Sequence, residues 1–160
     1  ILYNKMSIEE ICKTYGIKNY TINSDGSIDV DESVDLSNRK LTELPLKFGS
    51  VTGYFYCPFN KLTSLSGSPK SVGGDFNCYD NQLTSLEGSP DSVGGYFYCS
   101  NNPIGSIFNK VDIDFIRAFN TFKVLNDGVV NLKRLKYVME MFDLPINIES
   151  IKKYYTIKWV

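Results

Sequence analysis

Between Val51 and Asn102 the chain repeats one phrase every 21 residues. Val51, Val72 and Val93 coincide, as do Gly53, Gly74 and Gly95; Phe55, Phe76 and Phe97; Cys57, Cys78 and Cys99; and Asn60, Asn81 and Asn102. Leu62 maps onto Leu83, and Leu65 onto Leu86. A fixed period of about 20 to 50 residues predicts stacked copies of one small unit, none able to bury its apolar face alone. One period earlier, Val30, Val34, Leu36, Leu41, Thr42 and Leu44 take the same positions, with Arg39 where asparagine is expected. One period later, Ile104 and Ile107 take the two leucine positions, and the pattern stops. A degenerate first copy and a truncated last one suit a solenoid, whose end units face water.

Each copy reads F-x-C-x-x-N-x-L-T-S-L and then passes through glycine and proline. Phe76 and Cys78 are two apart, so on a short strand both point inward. The asparagine after the strand can bond the backbone of its own turn and of neighbouring copies. Leu83 and Leu86 turn back beneath the strand. Gly73-Gly74 permits a sharp bend or a positive φ, and Pro69 and Pro90 favour an extended return segment over a helix. The pattern matches the leucine-rich repeat core L-x-L-x-x-N-x-L at its usual length.

The N-x-L-T-S-L…P rhythm resembles the short leucine-rich repeats of bacterial effector proteins. The longer phrase LTSLEGSPDSVGGYFYCSNN resembles small repeat proteins encoded by bacteriophages and some bacteria, and YTINSDGSIDVDESVDLSNRKLTELP is similar to their N-terminal lead-in. The resemblance covers about residues 7 to 107. It implies a non-enzymatic binding protein acting in the host bacterial cytoplasm. Its partner would be a bacterial host protein, with inhibition of a defence protein as an extension of that analogy.

The expected architecture is an α+β solenoid of about four coils. Residues 1–29 form an N-terminal helix and hairpin cap, residues 30–107 the repeats, and residues 108–160 a C-terminal cap. Ser7-Ile8-Glu9-Glu10 is a capping box, and the apolar stripe that follows predicts a helix over residues 8–15. Met6 stands just ahead of it, so residues 1–5 read as an upstream extension or an added remnant. Tyr20 to Val30 reads as a hairpin turning at Asp25-Gly26. Asp29, Asp31 and Glu32 lack the order of a calcium loop and read as a solvated strand edge. In the cap, Ile113, Ile116, Ala118, Phe119 and Phe122 predict one helix, capped by Asp112 or Asp114. Leu132, Leu135, Val138, Met139 and Phe142 predict a second, ended by Pro145. Tyr155, Ile157 and Trp159 alternate as on a strand, with Trp159 expected in the core.

The absence of histidine removes imidazole catalysis and the usual zinc sets. One cysteine per 21 residues is no metal spacing, so the column reads as small apolar filler. Phosphate-binding glycine motifs are absent too, because the Val-Gly-Gly pairs recur with the repeat. A net charge of -1 offers no global field for nucleic acid or anionic membrane. A cytoplasmic location is expected, with no catalytic residue, metal or cofactor; self-association stays open.

With Phe and Cys inward, the alternating residues face out, on a surface expected to be concave. That surface gathers Asp35, Tyr54, Tyr56, Phe59, Asp75, Asn77, Tyr79, Asp80, Tyr96, Tyr98 and Asn101. Pro58 belongs to it by the same alternation. Tyrosine is large, stiff and hydrogen-bonding at its tip, so the cluster predicts a docking face. Its carboxylates favour a basic partner. Tyrosines that merely suit exposed strands are the plain alternative. A glycan-binding or structural adhesive protein is the competing function, because rings also stack on sugars. Asp75 and Asp80 could be read as paired acids of a glycoside hydrolase, but an open sheet gives no pocket to separate their pKa values.

Overall fold

The computed structural model describes residues 5–160, so the expectation for residues 1–5 lies, all but Lys5, outside the described residues. The chain begins with α1 (Ile8–Tyr15), which Ser7 and Glu10 cap reciprocally. The Ser7 hydroxyl accepts from the Glu10 amide at 3.2 Å, and the Glu10 carboxylate accepts from the Ser7 amide at 2.7 Å. The helix stops at Gly16, in the left-handed region at φ 68°.

Strands β1 (Tyr20–Ile22) and β2 (Ile28–Val30) form the predicted antiparallel hairpin. From β2 onward the chain winds into coils, and each coil holds two short strands rather than one. The first strands are β2, β4 (Phe48–Val51), β6 (Ser71–Val72) and β8 (Ser92–Val93), all parallel; the last three are in register, and the pairing of β2 with β4 shifts by one residue between Ile28 and Val30. The second strands are β3 (Val34–Asp35), β5 (Phe55–Tyr56), β7 (Phe76–Asn77) and β9 (Phe97–Tyr98), also parallel. Four strand levels are thus joined by three full turns of a solenoid with mixed sheets. The repeat predicts the strand at Phe-x-Cys; the structure adds a second at the valine column, where runs of two residues are too short to show alternation.

In the first sheet Gly73 donates back to Val51 and Gly94 to Val72, both at 2.9 Å, while Ile28 and Phe48 donate forward to Lys47 and Gly67 at 2.9 and 2.8 Å. In the second, each coil donates forward, as Phe55 to Asp75 and Phe76 to Tyr96, both at 2.9 Å. Between the sheets the chain bends at Gly73-Gly74 and Gly94-Gly95. These glycines are not at positive φ. A Cβ on Gly73 would collide with the Thr52 carbonyl oxygen, and one on Gly94 with that of Gly73. Close approach of successive coils therefore demands glycine there.

Inside, Phe55, Phe76 and Phe97 stack with centroids 5.5 and 5.0 Å apart, their planes within 11°. Cys57, Cys78 and Cys99 are fully buried free thiols. Asn60, Asn81 and Asn102 form a buried ladder beside them. The Asn81 Oδ1 accepts from the Leu62 amide at 3.0 Å, while its Nδ2 donates to the carbonyls of Cys57 and Cys78 at 3.0 and 3.1 Å. Asn60 and Asn102 repeat this geometry one coil to either side. In the degenerate first copy, Arg39 and Leu41 supply amide donors to Asn60. The acidic run near the N-terminus also serves the stack. Asp29 accepts from the Ser50 amide at 2.8 Å, and Glu32 from the Lys18 amide at 3.0 Å.

After a 3-10 turn at Ile104–Ser106, β10 (Lys110–Val111) closes the second sheet by pairing antiparallel with β9. Helix α2 (Ile113–Thr121) is capped by Asp112 rather than Asp114. Strands β11 (Leu125–Asn126) and β12 (Val129–Asn131) form a hairpin that turns at Asp127-Gly128. Helix α3 (Leu132–Met141), capped by Asn131, ends just before Pro145. A further helix, α4 (Ile148–Lys152), was not foreseen; β13 (Thr156–Lys158) then lies parallel to β12. Phe108, Phe115, Phe119 and Phe142 build the cap's own core. The Tyr155 hydroxyl donates to the Thr84 carbonyl at 2.8 Å, tying cap to solenoid. Among the described residues no helix is long and apolar enough to cross a membrane.

Candidate functional site

The second sheet sets the register of the candidate face. Phe55, Phe76 and Phe97 are fully buried. Their neighbours Tyr54 and Tyr96 are 38% and 49% exposed, and Tyr56, Asn77 and Tyr98 are half-buried. The predicted inward and outward sets therefore hold along the strands. One expected outward residue departs from the pattern: Pro58 is buried, although its repeat equivalent Tyr79 is exposed.

The turn after each of these strands places Asn38, Phe59, Asp80 and Asn101 in the left-handed region, at φ 55°, 56°, 51° and 59°. Asparagine and aspartate tolerate this conformation through short polar side chains. Phenylalanine does not, yet Phe59 is also 53% exposed. A bulky side chain held at positive φ without being buried marks a position set by something other than packing. Its ring meets Tyr79 edge-on at 5.3 Å.

The outward side chains form two clusters. Tyr54 and Tyr56 stack at 4.1 Å with planes 28° apart. Tyr96 and Tyr98 occupy the same repeat positions two coils later and meet edge-on at 6.2 Å. Between them the third copy places Asp75 and Asn77. Burial raises the Tyr56 phenol above its ordinary pKa, reinforced by the negative charge of Asp75 and Asp35 and by Tyr54 and Tyr98. Asp35, Tyr56, Asn77 and Tyr98 lie side by side on neighbouring strands, so these groups share one patch. Phe59, Tyr79, Asp80 and Asn101 form the second cluster at the adjoining turn.

The polar members hold the stack as well as facing out. Asp75 accepts from the Tyr96 amide at 2.7 Å, as Ser33 does from Tyr54 at 3.1 Å one period and a coil earlier. Asp80 accepts from the Asn101 side-chain Nδ2 at 2.7 Å. Asp35 accepts from the Ser37 amide at 2.9 Å, and Asn77 from the Tyr79 amide at 2.9 Å. Each carboxylate thus keeps one oxygen for solvent or a ligand. Asp75 and Asp80, weighed as paired acids, are each tied to the following coil.

Lys110 was missed. It lies outside the repeat, and only the antiparallel pairing of β10 with β9 sets it opposite Tyr98. Its ammonium stands 3.9 Å from the Tyr96 ring centre and 5.3 Å from that of Tyr98. The structure also corrects Trp159. It is 61% exposed, because β13 ends at Lys158, and it packs beneath the Lys136 ammonium at 4.7 Å. Tyr155 fills the core position instead. Trp159 joins Phe122, Tyr137, Lys133 and Lys136 around an open groove of about 670 Å³ on the cap.

The cysteine column is enclosed and inert. Burial pushes the Cys57 thiol up to about 12 and raises Cys78 and Cys99 likewise. Such thiols stay protonated and are poor nucleophiles and ligands. Compared with known proteins, the chain matches no family model, no curated protein and no solved structure.

Proposed function

We propose that this chain is a non-enzymatic protein-binding module of the short leucine-rich repeat kind, docking a partner on the outer face of its second sheet. The observation that carries this reading is the gathering of Tyr54, Tyr56, Phe59, Tyr79, Tyr96 and Tyr98 on one face. Phe59 keeps its place there despite an unfavourable backbone. Large, rigid aromatic side chains dock at low entropic cost. Carboxylates among them steer partner choice. The resemblance to phage-encoded repeat proteins makes the partner a bacterial host protein, a defence factor held inactive by occupancy in the host cytoplasm.

The test is capture from bacterial lysate with the full chain and with a Tyr56→Ala/Tyr98→Ala variant, followed by reconstitution from purified components. A single partner that re-forms a stoichiometric complex with the parent and not with the double variant is the expected result. A complex that forms equally well with both places the interface elsewhere. Exposed tyrosine rings beside Asp75 and Asn77 also suit sugar stacking. A glycan array signal that the double variant abolishes, with no protein partner recovered, would decide for a carbohydrate ligand.

A further inference from the structure

The repeat builds the same aromatic pair twice, with Asp75 of the intervening coil between the two copies. One pair, Tyr96 and Tyr98, is filled by Lys110. The other, Tyr54 and Tyr56, has no cationic group over it among the described residues. We propose that the Tyr54–Tyr56 pair, with Asp35 and Asp75 beside it, is a recognition seat for a lysine or arginine side chain of the protein partner. This rests on the docking reading above and names the chemistry the partner must present.

Three observations bear on the proposal. The first is the internal precedent: identical repeat positions already seat an ammonium group two coils away, at a distance where the ring quadrupole attracts it. The second is charge. Residues 30–107 carry eight Asp and Glu against five Lys and Arg, whereas residues 108–160, which supply Lys110, carry nine Lys and Arg against six Asp and Glu. The tyrosine face thus lies on the acidic part of the chain and takes Lys110 from the basic part. Around the empty pair, Asp35 and Asp75 stand close enough to raise the Tyr56 phenol. The third is ring geometry. The filled pair is open and edge-on at 6.2 Å, while the empty pair has collapsed face to face at 4.1 Å. Rings with no cation to face satisfy one another. A guest ammonium would open Tyr54 from Tyr56 toward the geometry seen at Tyr96 and Tyr98.

The experiment is a backbone-amide NMR titration of the intact chain with blocked tripeptides. They are identical except for a central lysine, trimethyl-lysine, Nε-acetyl-lysine or norleucine. Lysine and trimethyl-lysine should shift the amides of Tyr54, Tyr56 and Asp75. Norleucine and acetyl-lysine should bind at least about threefold more weakly, the discrimination a surface cation–π contact supports. Asp35→Asn, an exposed substitution, should weaken the lysine peptide while leaving the fold intact. Lys110→Met should create a second seat, read as new shifts at Tyr96 and Tyr98 with a similar concentration dependence. Equal responses to lysine and norleucine would overturn the proposal. Shifts scattered over the surface, or a Lys110→Met variant without the second seat, would do the same. If a Tyr56-dependent protein complex forms while the lysine peptide shifts nothing, the cation seat fails and the docking face stands. If the peptide binds at Tyr56 but no complex forms, the seat stands and the docking reading fails.

Discussion

Asn81 is the residue whose loss should test the stack most directly. It is 7% exposed and sits mid-ladder, with strong bonds to the Leu62 amide and the Cys57 and Cys78 carbonyls at 3.0, 3.0 and 3.1 Å. Asn81→Ala strands the Leu62 amide, whereas the Cys57 and Cys78 carbonyls each lose one donor and keep another, from Asn60 and Asn102. The stranded amide costs about 1–3 kcal/mol, and each of the two lost carbonyl bonds about 0.5–1.5 kcal/mol. Water entering the space left by the amide recovers part of that. A net loss of about 2–4 kcal/mol follows, a large share of the ~5–15 kcal/mol that holds a domain folded. Asn81→Asp separates the bonds from the volume. It retains the acceptor for Leu62, but its second oxygen faces two carbonyls and can donate to one of them only when protonated. The folded-state pKa of the new carboxylate should therefore lie above its unfolded value near ~3.9. Its stability is then greatest below that value and is lost as pH rises through the folded pKa. Urea unfolding followed by far-ultraviolet circular dichroism at pH 4 and pH 7 reads both effects. The aspartate variant should approach the parent at pH 4 and fall well below it at pH 7. An alanine variant within about 1 kcal/mol of the parent, or an aspartate variant equal to it at pH 7, would refute the ladder as the element joining the coils.

Two further outcomes are expected. Cys57, Cys78 and Cys99 have thiol pKa values raised by burial, so the folded chain keeps protons that the unfolded chain releases near its ordinary value of ~8.5. The stability they contribute is complete below that pH and falls above it, toward about 1.4 kcal/mol per pH unit for each thiol. Urea midpoints between pH 7 and 10 should show this, and Cys78→Ala should lessen the slope; a flat profile would contradict the enclosed column. Phe59→Asn places at the left-handed position the residue that the first and fourth copies use there, Asn38 and Asn101. Relief of backbone strain is offset by the lost edge contact with Tyr79, so stability should stay level or rise by up to about 1 kcal/mol, while partner capture weakens. A thermal unfolding midpoint clearly below the parent's would show instead that Phe59 is held by packing.

The coil, its inward residues and the asparagine ladder were legible because stacking demands that they repeat. A side chain in contact with its own copy one level above and below cannot vary freely, so Phe76, Cys78 and Asn81 announce their roles by recurrence. The first sheet was less legible. Ser71–Val72 and Ser92–Val93 are two residues long, so there was a recurring valine but no alternation to mark a strand. The role of the paired glycines was half legible. Their bend was expected, but a Cβ collision with the coil before leaves no trace in the sequence apart from glycine itself. In the cap nothing repeats, and position had to follow from amphipathic pattern alone. That sufficed for α2 and α3, which bury whole faces, and failed for Trp159, where β13 ends too soon to carry the alternation inward. Lys110 was invisible because its place depends on a reversal of strand direction after a 3-10 turn.

The same constraint explains why the candidate face can be specific on so regular a scaffold. The positions of Phe76, Cys78 and Asn81 are held identical by their neighbours, so variation is confined to side chains that leave the stack. At one such position the copies read Ser33, Tyr54, Asp75 and Tyr96; at the next, Asp35, Tyr56, Asn77 and Tyr98. Small polar residues would satisfy the sheet equally well, and Ser33 bonds the following coil just as Asp75 does. Stacking therefore does not account for tyrosine at Tyr54 and Tyr96. Nor does it account for Phe59, whose backbone conformation suits the Asn or Asp of the other three copies. The residues that scaffold physics leaves unexplained are aromatic, share one face and are flanked by carboxylates. Among the described residues the cation seated on them, Lys110, comes from outside the repeat, and this gathering on one face is what favours a docked partner over an incidental surface.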